Sequence, residues 1–177
     1  MSFKWVPFLS TALLTAALLF GGWFVYRHYG VEQPLDRLAE QTPGVIQAEA
    51  EMGTDEVRLR LRLEPDADLA AITRHIRTDG QGTIGDRELH IEPVTETSEK
   101  LETAWQSVLF EVAEAMENRR YSGIRDALGR LEKEFPGIQA TAQMDEQNVY
   151  IHLRDGETAK FVVLPRQPVT LGVWPHA

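Results

Sequence analysis

Residues 43–62 read PGVIQAEAEMGTDEVRLRLR, and residues 136–154 read PGIQATAQMDEQNVYIHLR. With one residue dropped near Ile46, Gln47, Ala48, Ala50, Met52, Val57, Leu61 and Arg62 meet Gln139, Ala140, Ala142, Met144, Val149, Leu153 and Arg154 at a constant offset of 92. The lead-ins agree as well, since Leu35, Arg37, Leu38, Pro43 and Gly44 recur 93 residues on as Leu128, Arg130, Leu131, Pro136 and Gly137. Self-similarity at a fixed spacing marks a duplicated supersecondary unit. Each copy reads as a helix, a Pro-Gly stop and two strands of alternating apolar and polar residues.

The alternation also predicts register. A loop over 53–56 puts Met52 opposite Val57, Ala50 opposite Leu59 and Ala48 opposite Leu61, with Glu51 meeting Arg58 and Glu49 meeting Arg60 on the other face. In the second copy Met144 falls opposite Val149 and Ala142 opposite Ile151. Leu59 and Ile151 are then equivalent buried positions, while Arg60 and His152 point to a solvated face.

Outward from the hairpins, Pro34 suits the first turn of a short helix. Asp66 or Asp68 caps a helix with Leu69, Ile72, His75 and Ile76 on one face, residues 80–85 are loop, and Pro93 restricts a third strand over 88–94 to a sheet edge. Ser98 opens a long amphipathic helix bearing Leu101, Trp105, Val108, Val112 and Ala115, which packs along the modules or against a second copy of itself. Ser122 caps the next helix, with Ile124, Ala127, Leu128 and Leu131 at helical spacing. The copies then diverge, because Arg154-Asp155-Gly156-Glu157 reads as a tight turn into another strand, where the first copy has a helix. Leu171, Val173 and Trp174 in the tail call for cover.

Residues 5–26, WVPFLSTALLTAALLFGGWFVY, contain no charge, and a helix of about 20 apolar residues spans a bilayer core. The sequence therefore predicts an uncleaved single-pass signal-anchor, with Trp5 and Phe8 at one interface, Trp23, Phe24 and Tyr26 at the other, and Arg27 marking the end. The residues after the span offer no small-x-small cleavage site. The expected fold class is α+β: an N-terminal transmembrane helix followed by two small helix–strand–strand modules joined by a long amphipathic helix. The expected boundaries are an anchor over 1–29, an αββαβ module over 30–95, a connecting helix over 96–121 and an αβββ module over 122–177. The soluble part is expected on the extracytoplasmic side of the cell membrane.

Composition narrows the function. The chain has 177 residues, a formal net charge of −9 and no cysteine. Lys4 and Arg27 are the only charges in residues 1–29, so the remainder is more acidic still, and an acidic surface repels phosphate backbones. Nucleic acid is therefore not an expected partner. Disulfides, thiolate metal sites and cysteine nucleophiles are excluded outright. His75, His90 and His152 fall on separate elements without ligand spacing, and Asp86, Glu92, Glu96, Glu99 and Glu102 form no motif. No GxSxG elbow or phosphate-cradling glycine loop occurs. The expected catalytic and metal residues are none, as are cofactors. The most conspicuous polar feature is the row Arg58, Arg60, Arg62, read as a solvated face neutralised by glutamates or as a docking face for an acidic neighbour such as another copy.

Residues 34–94 resemble the small modules of bacterial membrane rings: the flagellar basal ring, the secretion-system inner-membrane ring and the sporulation stage III channel. The resemblance rests on a short helix ending in Pro43-Gly44-Val45, Ala48 and Ala50 on the first strand, the ladder Val57 to Leu63, then Pro65 and the helix with Leu69 and Ile72. It implies side-by-side packing of anchored modules into a ring. The second module lacks the second helix of that pattern. The resulting expectation is a non-catalytic membrane-anchored protein in contact with lipid, acting in assembly or self-association. A ligand-sensing ectodomain is the alternative and a membrane-anchored enzyme a third reading. An apolar pocket between the modules favours sensing, and a flat charged face favours assembly.

Overall fold

The computed structural model describes residues 15–22 and 33–166. Residues 15–22 are helical (α1), and their Leu18, Leu19 and Phe20 stand exposed. There follow α2 (Gln33–Glu40), β1 (Val45–Met52), β2 (Glu56–Leu63), α3 (Leu69–Asp79), the single turn α4 (Gln81–Ile84) and β3 (Glu88–Val94). The second half contains α5 (Glu99–Glu117), α6 (Tyr121–Glu134), β4 (Gln139–Met144), β5 (Asn148–Asp155) and β6 (Thr158–Pro165).

The duplication is physical. Both Pro-Gly stops place glycine in the left-handed region, Gly44 at φ +90° and Gly137 at φ +93°, where a Cβ is penalised and helices commonly end. Both hairpins pair in the expected register, with Ala50 beside Leu59 and Ala142 beside Ile151. Each gives a three-stranded sheet, ordered β1-β2-β3 and β4-β5-β6.

The third strands differ in direction. In the first module α3 carries the chain back across the sheet, so β3 runs parallel to β2, as a crossover connection requires. In the second module only Gly156 and Glu157 separate the paired Asp155 and Thr158, and β6 returns antiparallel. The cover that α3 supplies in the first module comes in the second from α5, which precedes it in the chain. Leu101, Ala104, Trp105, Val108 and Val112 of α5 join Ile124, Leu128 and Leu131 of α6 over Val149, Ile151 and Leu153. Lys100 pairs with Asp155 at 2.8 Å and Lys160 with Glu102 at 2.8 Å, tying α5 to the far end of that sheet.

The first sheet has one covered face, where Leu35 and Ala39 of α2 and Leu69, Ile72 and Ile76 of α3 lie over Val57, Leu59 and Leu61. The second is covered on both along β5 and β6, while β4 stays largely exposed. Behind it, Tyr150, Ala159 and Phe161 are buried in the core of the first module. This corrects the expectation for His152, which does not reach a solvated face. Its ring stacks on Phe161 with centroids 4.3 Å apart, and its Nε2 donates to the Pro65 carbonyl at 2.8 Å. Ala142 and Met144 also depart from expectation: the register holds, but both are exposed, Met144 by 58% against 5% for its counterpart Met52.

The membrane-spanning helix is a correction to the expected fold class. Among the described residues no helix is long and apolar enough to cross a membrane. The rest of the 5–26 stretch, with Trp5, Phe8, Trp23, Phe24, Tyr26 and Arg27, lies outside the described residues, as do Leu171, Val173 and Trp174.

Leu59→Ala and Ile151→Ala should each destabilise the chain by about 2–5 kcal/mol, the range for a large aliphatic side chain lost from a core. Arg60→Ala should stay within about 0.5 kcal/mol. His152→Ala should instead cost about 1–3 kcal/mol, because the Pro65 carbonyl loses its donor. Urea denaturation of the full chain ranks the four; a neutral His152→Ala would refute the two-sided burial of the second sheet.

Candidate functional site

The open face of the first sheet follows from strict alternation in β2, EVRLRLRL, whose odd-numbered aliphatics enter the core and whose arginines cannot. Arg58, Arg60 and Arg62 are exposed in a row, opposite Glu51, Glu49 and Gln47 of β1 and His90, Glu92 and Val94 of β3. The cross-strand neighbours are those expected, but the ion pairs are not. Arg60 turns to Glu92 of β3 at 3.3 Å, and Arg58 pairs with Glu56 of its own strand. Arg62 makes no ion pair among the described residues. His90 lies 3.6 Å from Glu56 and 3.7 Å from Glu88. Glu49, Ala50, Glu51, Arg58 and Arg60 line a shallow depression of about 170 Å³.

The junction between the modules is a second concentration of polar groups. Tyr150 donates its hydroxyl to Asp145 Oδ2 at 2.7 Å, and Arg77 of α3 reaches the same oxygen at 3.3 Å. Asp145 Oδ1 accepts the backbone N–H groups of Gln147 and Asn148 at 2.8 and 2.7 Å, closing the β4–β5 turn. Partial burial works to raise the Asp145 pKa, but the Tyr150 hydroxyl, the two N–H groups and Arg77 together hold it below the ordinary carboxylate value. Tyr150 moves up, first through burial and then through the bond to Asp145. Arg166 donates to the Asp145 carbonyl and lies over the Tyr121 ring, 4.9 Å from its centroid.

These groups join α3, the β4–β5 turn and the end of β6, although Arg77 Nη2 and Arg166 Nε are buried there without a hydrogen-bond partner among the described residues. The cavity beside them, touching Ala67, Ala70, Tyr150, His152 and Phe161, is only about 20 Å³, room for about one water. His75, His90 and His152 are dispersed: His75 pairs with Asp79 at 3.2 Å on α3, His90 faces the open sheet, and His152 is at the junction. The carboxylates do not converge either, since Glu92 serves Arg60 and Glu102 serves Lys160. Residue spacing alone passed over Tyr150, Phe161 and Asp145. The missed signal is the run VYI in β5 and FVVL in β6, apolar on successive rather than alternate positions.

No family model and no curated protein matches the chain. Among solved structures, the type III secretion system protein EscJ of enteropathogenic E. coli matches at 20% identity and a TM-score of 0.33, covering 37% of this chain and 45% of EscJ.

Burial holds the His152 imidazole below its ordinary value of 6.5, with the Pro65 carbonyl acting in the other direction. On acidification the unfolded chain takes up this proton first. The stability carried by neutral His152 is therefore present above about pH 6.5 and lost as pH falls through the folded-state value. Denaturation midpoints recorded from about pH 7.5 down to 5 should fall more steeply for the wild type than for His152→Gln. Equal slopes would place His152 in solvent.

Proposed function

We propose that the chain is a non-catalytic assembly module that associates with further copies of itself through the arginine face of its first sheet. One contrast carries the reading: the space between the modules holds no more than about one water, whereas the open sheet presents three exposed arginines on a chain of net charge −9. A ligand sensor needs a pocket of several hundred Å³, and the junction supplies none of that size among the described residues. Complementary charge favours contact of Arg58, Arg60 and Arg62 with an acidic surface, and another copy supplies one. The ion pairs to Glu56 and Glu92 are exposed and each contributes about 0–1 kcal/mol, so exchanging them for contacts with a neighbour costs little.

Sedimentation velocity and chemical cross-linking of the full chain test this. Association should weaken from low to high salt, and the triple charge reversal of Arg58, Arg60 and Arg62 to glutamate should weaken it further by an order of magnitude or more in Kd. Association insensitive to both salt and charge reversal would remove the arginine face from the interface.

A further inference from the structure

The two modules treat their outer strand edges differently. In an antiparallel ladder, residues alternate between bonding the partner strand and directing both N–H and C=O away from it. The turn bonds Gly53 N–H to Glu56 O at 2.8 Å and Asp145 N–H to Asn148 O at 3.0 Å set the phase. Residues 48, 50 and 52 of β1, and 140, 142 and 144 of β4, therefore point their backbone groups outward. On β1 the edge is closed by α2: Asp36 Oδ1 accepts from Ala50 N–H at 2.6 Å and Glu40 Oε1 from Ala48 N–H at 3.5 Å. On β4, Glu132 Oε1 accepts from Ala140 N–H at 2.8 Å. Asp36 has no counterpart, because Gly129 stands 93 residues on.

Glycine inside a helix is less favourable than alanine, so its presence in α6 calls for a reason. Steric need is not one, since a Cβ at Gly129 would meet nothing within 4 Å. With glycine there, the outward N–H of Ala142 lacks the carboxylate that Ala50 has, and like that of Met144 it is without a partner among the described residues, beside exposed Ala142 and Met144 side chains. Exposed edges are ordinarily blunted by charge or proline. β4, QATAQM, has neither, whereas β1 carries Glu49 and Glu51.

We propose that the open half of β4 is a self-pairing edge, joining antiparallel to β4 of a second copy about a two-fold axis. Centred on Gln143, this register lets Ala142 and Met144 exchange both hydrogen bonds with Met144 and Ala142 of the other copy and covers the two exposed Met144 side chains. An uncharged strand suits this partner above others, because identical edges of an acidic protein meet here without like-charge repulsion. The inference rests on the reading that copies associate, and assigns that association a second interface, on the opposite module from the arginine face.

Sedimentation equilibrium of the purified full chain, with amide hydrogen exchange, tests it. Gly129→Asp restores the missing carboxylate and should weaken the β4-mediated dimer about tenfold or more, since it occupies one N–H and buries a charge at the contact. Met144→Glu should do the same, while Gly129→Ala, which adds no acceptor, should leave the dimer intact. In the wild type, exchange at Ala142 and Met144 should slow with rising protein concentration; in Gly129→Asp, Met144 should lose that dependence. Association that survives Gly129→Asp and Met144→Glu but falls on reversal of Arg58, Arg60 and Arg62 overturns the edge and leaves the assembly reading standing. A wild-type chain monomeric at every concentration overturns both. Concentration-independent protection of Ala142 assigns the edge to another segment of the same chain and overturns self-pairing.

Discussion

Where β5 passes between the α5–α6 pair and the first module, its central side chains are covered from both faces. Val149, Ile151 and Leu153 enter one core, while Tyr150 is buried in the other and His152 stacks on Phe161 at its border. A buried hydroxyl or imidazole left without a partner costs about 1–3 kcal/mol, so both must find one in what lies opposite. The partners come from across the junction or from the adjoining turn: the Pro65 carbonyl for His152, and Asp145, shared with Arg77, for Tyr150. Separating the modules would break the His152–Pro65 and Arg77–Asp145 bonds and expose Tyr150, Ala159 and Phe161 together. The two copies thus form one packed body rather than beads on a string.

That constraint explains how the copies diverged. The first sheet leaves one face to water and can keep arginine on alternate residues of β2. The second lies between two layers and cannot, so aromatic and aliphatic side chains replace the charges. A crossover helix between β5 and β6 is dispensable because α5 already supplies the second covering helix, and the chain returns by a hairpin. Gly156, at φ +61°, occupies the first of the two turn positions, where the II′ geometry needs a positive φ.

Surface chemistry is divided in the same way. The first module presents a charged sheet face and closes its β1 edge with carboxylates of α2; the second buries Tyr150 and Phe161 behind its sheet and, among the described residues, leaves half of its β4 edge open. Both features arise from single residue choices on a repeated backbone, the arginines of β2 and Gly129 of α6. Neither requires catalysis, and both are suited to contacts between chains.

The sequence by itself determined the duplication, the hairpin registers and the charged face, since all three follow from local rules: a side-chain period of two, a Pro-Gly stop and a four-residue loop. It also showed the Pro93 edge strand and the long 99–117 helix. It did not reveal what each face would meet. A stretch of 22 uncharged residues reads as a membrane span on length alone, yet among the described residues no helix is long and apolar enough to cross a membrane. His152 reads as solvated by parity with Arg60, and Ala142 as buried by parity with Ala50. Those assignments belong to tertiary structure, because period-two alternation says which residues share a face of a strand. Whether helix, second module or water lies against that face depends on residues far away in the chain.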